Sequence, residues 1–363
     1  MRPAIGAELM LTRFFHAWEH RLASVTKDRV VRPFEWGIDW LPADARCGEP
    51  RTAIERWVDA SVRADDEFFA LPRTSESDFC FEGARSGRAR TDDTGTLTFP
   101  SALTTPHREN NTVTARWFAA PDEPAVGYAK GRGRAVVVLP QWNSDAGGHI
   151  GLARVLARFG VSALRLSLPY HDVRMPPELT RADYIVSANI VRTVQVCRQA
   201  VLDARRAVAW LALQGFERIG ILGTSLGSCL ALLTASHEPL IRAEALNHVS
   251  PFFADVVWRG LSTRHVREGL DGHVDLETLR HLWRPISPWS YLDRAGRTKT
   301  LLVYAKYDLT FPVDLSEKLV NEWVRRDLPV EVAAMPCGHY SIGSTPFKFL
   351  DAYVLLTFLR KAL

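Results

Sequence analysis

From Arg134 onward the chain alternates between two hydrophobic rhythms. Short unbroken apolar runs ("RAVVVLP", "VSALRLSLP", "RIGILG", "AEALNHVS", "TLLVYAKYD", "VEVAAMP") are separated by segments with apolar residues at helical spacing. The helical segments include "GHIGLARVLARFG", about Ile185 to Leu213, "SLGSCLALLTAS", "LSEKLVNEWVRR" and the closing "FKFLDAYVLLTFLRKAL". An unbroken apolar run of strand length marks a strand covered on both faces. Such strands alternating with helices predict an α/β chain with a mostly parallel, doubly wound sheet and helices on both faces. In such sheets the site lies at the carboxyl ends of the strands.

The first third reads differently. Ala7 to Ala70 has helical character, with Leu11, Phe14, Phe15, Trp18 and Leu22 on one face. Docking of this face on the following domain is the expectation, because amphipathic stripes in globular chains usually face a core. A membrane-surface or partner helix, including a homodimer contact, is the other reading. Pro72 to Thr94 is polar and glycine-rich and reads as loop; "GTLTFPSAL" and "NTVTARWFAA" then read as strands around a turn-rich stretch. Late in the chain, residues 252–296 form a connection long enough to be an insertion of short helices. It carries Trp258, Trp283 and Trp289, and is read as an apolar cap over the strand ends. The organisation expected is an N-terminal helical extension and linker over 1–94 and an α/β domain over 95–363.

Ser225 is the first candidate for chemistry. It stands directly after one apolar run, opens a helix, and is flanked by Gly223 and Gly227 in "GTSLG". That is the context of a nucleophile elbow, where small flanking residues let strand and helix approach and the serine takes a strained backbone. The bare motif is weak evidence. A serine hydroxyl also needs an imidazole to take its proton and a carboxylate behind the imidazole. Asp308 follows the run "TLLVYAKYD", and His339 follows "VEVAAMP" within "CGHYSIG". Both stand where a strand ends, and the order is Ser, Asp, His.

On these stretches, from about Gly95 to Leu363, the chain resembles the α/β-hydrolase superfamily of serine esterase-like proteins. "GTSLG" is similar to its elbow, "YAKYDLTFP" to its acid loop and "PCGHY" to its histidine loop. "LPYHDVRMP" with the long helix after it resembles one branch of α/β-hydrolase-domain proteins. The resemblance implies a Ser225–His339–Asp308 triad that hydrolyses carboxylic esters through an acyl-enzyme, with no metal or organic cofactor. It also implies an oxyanion hole formed by the backbone N–H groups of Leu226 and Trp142. Pro140-Gln141 replaces the His-Gly usual after the first buried strand, so the geometry of that loop is left open. An acyltransferase or peptidase would use the same triad, and a non-catalytic binding protein would use the same fold.

Gln141, His171, His248, Trp258 and Trp289 are expected at the substrate pocket, since topology puts each near the same rim; the two histidines either line it or hydrogen-bond its loops. His171 and His248 belong to no metal-ligand pattern. Cys47, Cys80, Cys197, Cys229 and Cys337 are scattered without C-x-x-C spacing, which argues against a disulfide framework and suits a cytoplasmic location. Cys229 and Cys337, near Ser225 and His339, are read as packing residues. Charge adds only exclusions: 45 basic and 41 acidic residues are interspersed, so no nucleic-acid partner is expected. No apolar run is long enough for a transmembrane helix. The partner expected is a small ester or acyl substrate.

Overall fold

The structure is a computed structural model that describes residues 5–83, 95–121 and 133–363. Among these residues nine strands form one sheet in the order β1-β2-β3-β5-β4-β6-β7-β8-β9. They are β1 (Cys80–Gly83), β2 (Gly95–Pro100), β3 (Thr112–Phe118), β4 (Arg134–Leu139), β5 (Ser162–Leu166), β6 (Arg218–Thr224), β7 (Ile241–Asn247), β8 (Lys299–Ala305) and β9 (Val330–Met335). Neighbours from β5 through β9 pair in parallel, whereas β1, β2 and β3 run antiparallel, β3 joining the sheet against β5. The helices are α1 (Ile5–Ala23), α2 (Pro50–Arg63), α3 (Asp65–Phe68), α4 (Ile150–Arg158), α5 (Ile190–Leu213), α6 (Leu226–His237), α7 (Phe253–Arg259), α8 (Arg264–Leu270), α9 (Leu276–Leu282), α10 (Val313–Arg325) and α11 (Phe347–Ala362).

The unbroken apolar runs have a direct explanation in β4. Ala135, Val137 and Leu139 enter the core beneath α5 and α6, while Val136 and Val138 enter a second core beneath α4 and α11. Helices therefore cover both faces, and side chains alternating across the strand are buried on either side. No described helix is long and apolar enough to cross a membrane.

The N-terminal third departs from its uniform helical reading. Helices α1 and α2 are separated by largely extended chain with short 3-10 turns at Ile38–Trp40 and Ala43–Ala45. Of the predicted apolar face of α1, Phe15 is buried but Leu11 and Phe14 are exposed. Strand β1 lies inside the tract read as loop. It is a short, mostly exposed edge strand, so it carries no apolar run to betray it. Residues 84–94 of that tract lie outside the described residues.

Residues 252–296, read from the sequence as a cap, divide their work. Phe253, Val256 and Val257 of α7 wall a cavity at the strand ends. Those three also belong to the main core, where Leu279, Leu282, Trp283, Ile286 and Leu292 lie without reaching the cavity. Trp283 is fully buried, its indole N–H donating to the Ile190 carbonyl at 3.2 Å.

Candidate active site

Strand register brings the predicted residues together. Leu139 pairs with Gly223, so the loop after β4 begins beside the turn after β6. Thr224 pairs with Asn247, and the Ser225 N–H donates to the Asn247 carbonyl at 2.8 Å, which places His248 next to the elbow. Ala305 pairs with Met335, and the Tyr307 N–H donates to the Cys337 carbonyl at 3.0 Å, so Asp308 meets the Gly338-His339 turn.

Ser225 caps α6 with φ 56° and ψ −120°. This strained conformation costs a non-glycine residue about 1–3 kcal/mol. It is enforced by close packing on either side. A Cβ on Gly223 would overlap the Gly227 carbonyl, and one on Gly227 would overlap the carbonyls of Leu139 and Pro140. The serine Oγ lies 3.1 Å from His339 Nε2, and His339 Nδ1 lies 2.9 Å from Asp308 Oδ2. This connection of hydroxyl, imidazole and carboxylate is the one that base-assisted attack by a serine requires. Phe311 stacks on the His339 ring, 5.3 Å between centroids and 3° from parallel, which restrains the imidazole plane.

Asp308 is buried and fully engaged. Its Oδ1 accepts from the Thr310 and Phe311 N–H groups, both at 2.7 Å, and its Oδ2 also accepts from His248 Nδ1 at 2.9 Å. Burial alone would raise its pKa. The charge on His339 and the hydrogen bonds from His248 and His339 outweigh that and hold the carboxyl well below the usual carboxylate range. His339 is also buried, which works against its charged form, yet the Asp308 charge and hydrogen bond lift it above an ordinary histidine, with Glu19 adding to the effect. His248 goes the other way: burial holds it down and keeps it neutral. Its backbone is left-handed (φ 60°), and its Nε2 has no hydrogen-bond partner among the described residues. The ligand atoms of His248, Asp308 and His339 lie within 4.8 Å of one another, a spacing that a metal site shares. Here both Nδ1 atoms point at the carboxylate as donors.

The loop after β4 is held by side chains behind it. His171 Nδ1 lies 2.9 Å from the Pro169 carbonyl, an acceptor only, so this nitrogen carries the proton. His171 Nε2 is left as an acceptor and takes the Asn143 N–H at 2.9 Å. Burial pushes the His171 pKa down to about 4, which keeps this tautomer neutral. Asn143, left-handed at φ 59°, accepts from the Ala182 N–H at 2.8 Å, and the Trp142 indole donates to the Ala182 carbonyl at 2.9 Å. Among the described residues the Trp142 backbone N–H makes no hydrogen bond. The Leu226 N–H lies in the first turn of α6, where a helix leaves its N–H groups unsatisfied. Both residues line the same cavity as Ser225, which measures about 1140 Å³.

Of the five residues read from the sequence as pocket residues, Gln141 and His248 line that cavity, and His171, Trp258 and Trp289 do not. His171 lies behind the Gln141–Asn143 turn and does not reach the cavity. Trp258 carries the Arg267 guanidinium over its ring at 4.9 Å, and Trp289 packs on Phe252 at 5.1 Å; neither lines the cavity. A strand end fixes which rim a residue joins, not which way its side chain turns. Cys229 lines the cavity, but burial pushes its thiol up to about 11, so it stays protonated. Burial likewise pushes the Cys337 thiol up to about 12.

Several residues without a sequence signal also lie at the site. His149 at the start of α4 lies 2.9 Å from the Thr224 hydroxyl and faces the cavity. Val25 to Arg29 form one of its walls, and the α1 residue Glu19 binds the His339 loop. Glu19 interrupts an apolar face, which is the only sign of it that the sequence offers.

No family model matches the chain, and no curated protein matches it by sequence. Solved structures do. An acetyl xylan esterase from Paenibacillus sp. R4 superposes with a TM-score of 0.61 at 14% identity, over 92% of this chain and 100% of that one. Acetyl xylan esterase 1 from Thermoanaerobacterium sp. JW/SL YS485 gives 0.55 at 14%, over 86% and 94%. The acylaminoacyl peptidase of Pyrococcus horikoshii gives 0.53 at 16%, over 69% of this chain and 40% of that one, so this chain spans two fifths of the peptidase's length. With a strand order that switches at β4, helices on both faces and an elbow at the end of β6, the chain has the α/β-hydrolase fold.

Proposed function

We propose that this protein is a serine hydrolase acting on carboxylic esters, with Ser225, His339 and Asp308 as its triad. The observation that carries the reading is the continuous connection Ser225 Oγ to His339 Nε2 to Asp308, mounted on a strained turn that opens into a cavity. The similarity to proteins described as acetyl xylan esterases and an acylaminoacyl peptidase supports it at the level of fold.

His339 takes the Ser225 proton as Oγ attacks the ester carbonyl carbon. Asp308 fixes the tautomer and stabilises the imidazolium that forms. The N–H groups of Leu226 and Trp142 receive the oxyanion, each worth roughly 3 kcal/mol of transition-state stabilisation. His171 and Ala182 hold the Trp142 loop, so the Pro140-Gln141 replacement need not cost the second donor. Collapse of the tetrahedral adduct breaks the bond to the alcohol, which leaves with the proton from His339. Water then repeats the attack on the acyl-enzyme with His339 again as base, freeing the acid and Ser225.

Val256, Val257, Phe253 and Leu152 give the cavity an apolar wall, which suits an ester with an apolar acyl or alkyl group. The test is hydrolysis of p-nitrophenyl esters from acetyl to dodecanoyl, wild type beside Ser225→Ala. Activity that disappears with the serine is expected, and the preferred chain length gauges the cavity. Equal inactivity of both proteins across the series would overturn the esterase assignment. Cleavage of acyl anilides at rates rivalling the esters would replace it with a peptidase.

A further inference from the structure

We propose that Glu19 is a positioning residue for the His339 loop, which makes the N-terminal segment a working part of the active site. The inference rests on the assignment of His339 as general base.

Glu19 is completely buried on the inward side of α1. Its two carboxylate oxygens accept from successive backbone N–H groups just after the histidine, Tyr340 at 2.8 Å and Ser341 at 2.9 Å. Gly338, just before the histidine, lies so close to the Glu19 carboxylate that a Cβ there would overlap it. The Gly338 N–H in turn donates to Ser341 Oγ at 2.8 Å. His339 is thus held on both sides by contacts that converge on one side chain of a distant helix. The same helix also reaches the acid loop. Phe15 stacks on Tyr307, the residue before Asp308, with centroids 4.5 Å apart and rings 5° from parallel.

Simple docking does not account for a carboxylate here. Burying one costs several kcal/mol unless hydrogen bonds compensate, and an apolar side chain would fill the space without that cost. The compensating donors are those of the loop that presents the base. The chain after α1 continues the construction. Arg29 donates to the Tyr340 hydroxyl at 3.1 Å, Asp28 pairs with Arg181 at 2.9 Å and Arg32 with Asp183 at 3.0 Å. This strap crosses from the His339 loop to the loop that supports Trp142, and Val25 and Lys27 face the cavity on the way.

The charged and titratable groups around His339 come from several elements. Asp308 follows β8, His248 follows β7, and Glu19 lies on α1. Tyr340 adjoins the histidine with Arg29 behind it, Cys337 precedes it on the same loop, and Lys348 and Asp351 of α11 share the cavity. Glu19 acts in the same direction as Asp308, favouring the imidazolium.

The test uses the full chain as wild type, Glu19→Gln and Glu19→Asp. Ester hydrolysis is followed across pH, and the His339 imidazole is titrated by NMR, its signal identified by its loss in His339→Asn. Glu19→Gln removes the charge and turns an amide N–H₂ toward a loop N–H. It is expected to lower kcat about tenfold or more with KM nearly unchanged. It is also expected to move the His339 midpoint down by roughly half a pH unit or more. Glu19→Asp keeps the charge but shortens the reach, so kcat falls partway while the midpoint stays.

A folded Glu19→Gln protein with wild-type kcat and an unshifted midpoint overturns the proposal and leaves the assignment of Ser225 and His339 intact. A shifted midpoint in a chain whose wild type hydrolyses no ester supports the positioning role and overturns the hydrolase reading instead. If Glu19→Gln does not fold, the aspartate variant decides: reduced kcat at a constant midpoint supports the proposal, and wild-type kcat overturns it.

Discussion

The Nδ1 atoms of His248 and His339 both lie 2.9 Å from the same oxygen of Asp308, yet only His339 reaches the Ser225 hydroxyl. The two imidazoles, 4.7 Å apart between centroids, compete for one carboxylate but do not share a role. His339 would move protons, whereas His248 would keep Asp308 in place and ionised. His339→Ala is therefore expected to reduce kcat by about 10⁴-fold or more. His248→Ala should cost roughly tenfold, through a less constrained Asp308. Steady-state kinetics of the two variants check this, and a larger loss in His248→Ala would reverse the assignment of the base.

The elbow makes a steric prediction. A methyl group on Gly227 would press on the Leu139 and Pro140 carbonyls and displace the loop that carries Trp142. Gly227→Ala should lower Tm by several degrees and activity about 100-fold or more. Gly151 in α4 has nothing within 4 Å of where its Cβ would be. Gly151→Ala should gain up to about 1 kcal/mol of stability from helix propensity. Thermal melts of the pair distinguish local crowding from a general intolerance of alanine.

The pH dependence of hydrolysis follows from His339. Only the neutral imidazole accepts a proton, so activity rises with pH as His339 deprotonates. Although burial opposes its charge, the neighbouring Asp308 lifts its pKa above 6.5, and the acid limb of kcat/KM should have its midpoint above that value. Asp308→Asn should remove most of the activity and bring any residual limb to lower pH. A wild-type midpoint below 6.5 would contradict the arrangement.

A buried carboxyl away from the site gives a stability prediction of opposite sense. Glu244 sits in β7, its Oε1 accepting from Thr298 Oγ1 at 3.1 Å and Thr300 Oγ1 at 2.8 Å, and burial pushes its pKa up to about 7. The unfolded chain loses this proton near pH 4.3, whereas the folded chain keeps it until about pH 7. Between those values the folded state binds more protons, so this group lowers stability by about 1.4 kcal/mol per pH unit as pH rises. Glu244→Gln should narrow the difference in Tm between pH 5 and pH 8. An unchanged difference would show that Glu244 ionises normally.

How much of this was legible in the sequence depended on what kind of signal each residue leaves. The parallel strands and the residues that follow them, Ser225, Asp308 and His339, were readable because a strand buried on both faces writes an unbroken apolar run. Strand β1 was not, since Phe81 is the one residue of its four that packs on the core, too little to make a pattern. Nor was the extended chain between α1 and α2, whose aromatic residues have no period. His171, Trp258 and Trp289 do not line the cavity near which topology puts them, because side-chain direction depends on tertiary packing. The sharing of Asp308 by His248 and His339 follows from β7, β8 and β9 lying side by side in register. No local pattern encodes that. Glu19 and the Tyr340 N–H it accepts from are far apart in the chain, so the sequence shows one polar residue on an apolar helix face without its reason.

The central claim is that Ser225 is a nucleophile activated by His339, and covalent trapping tests it most directly. Wild type, Ser225→Ala and His339→Ala would be exposed to an alkyl fluorophosphonate, digested, and mapped by mass spectrometry. One phosphonyl group on the Ser225 peptide is predicted for the wild type, none for Ser225→Ala, and labelling slowed by orders of magnitude for His339→Ala. An unlabelled wild type, or equal labelling of all three proteins at another residue, would contradict it.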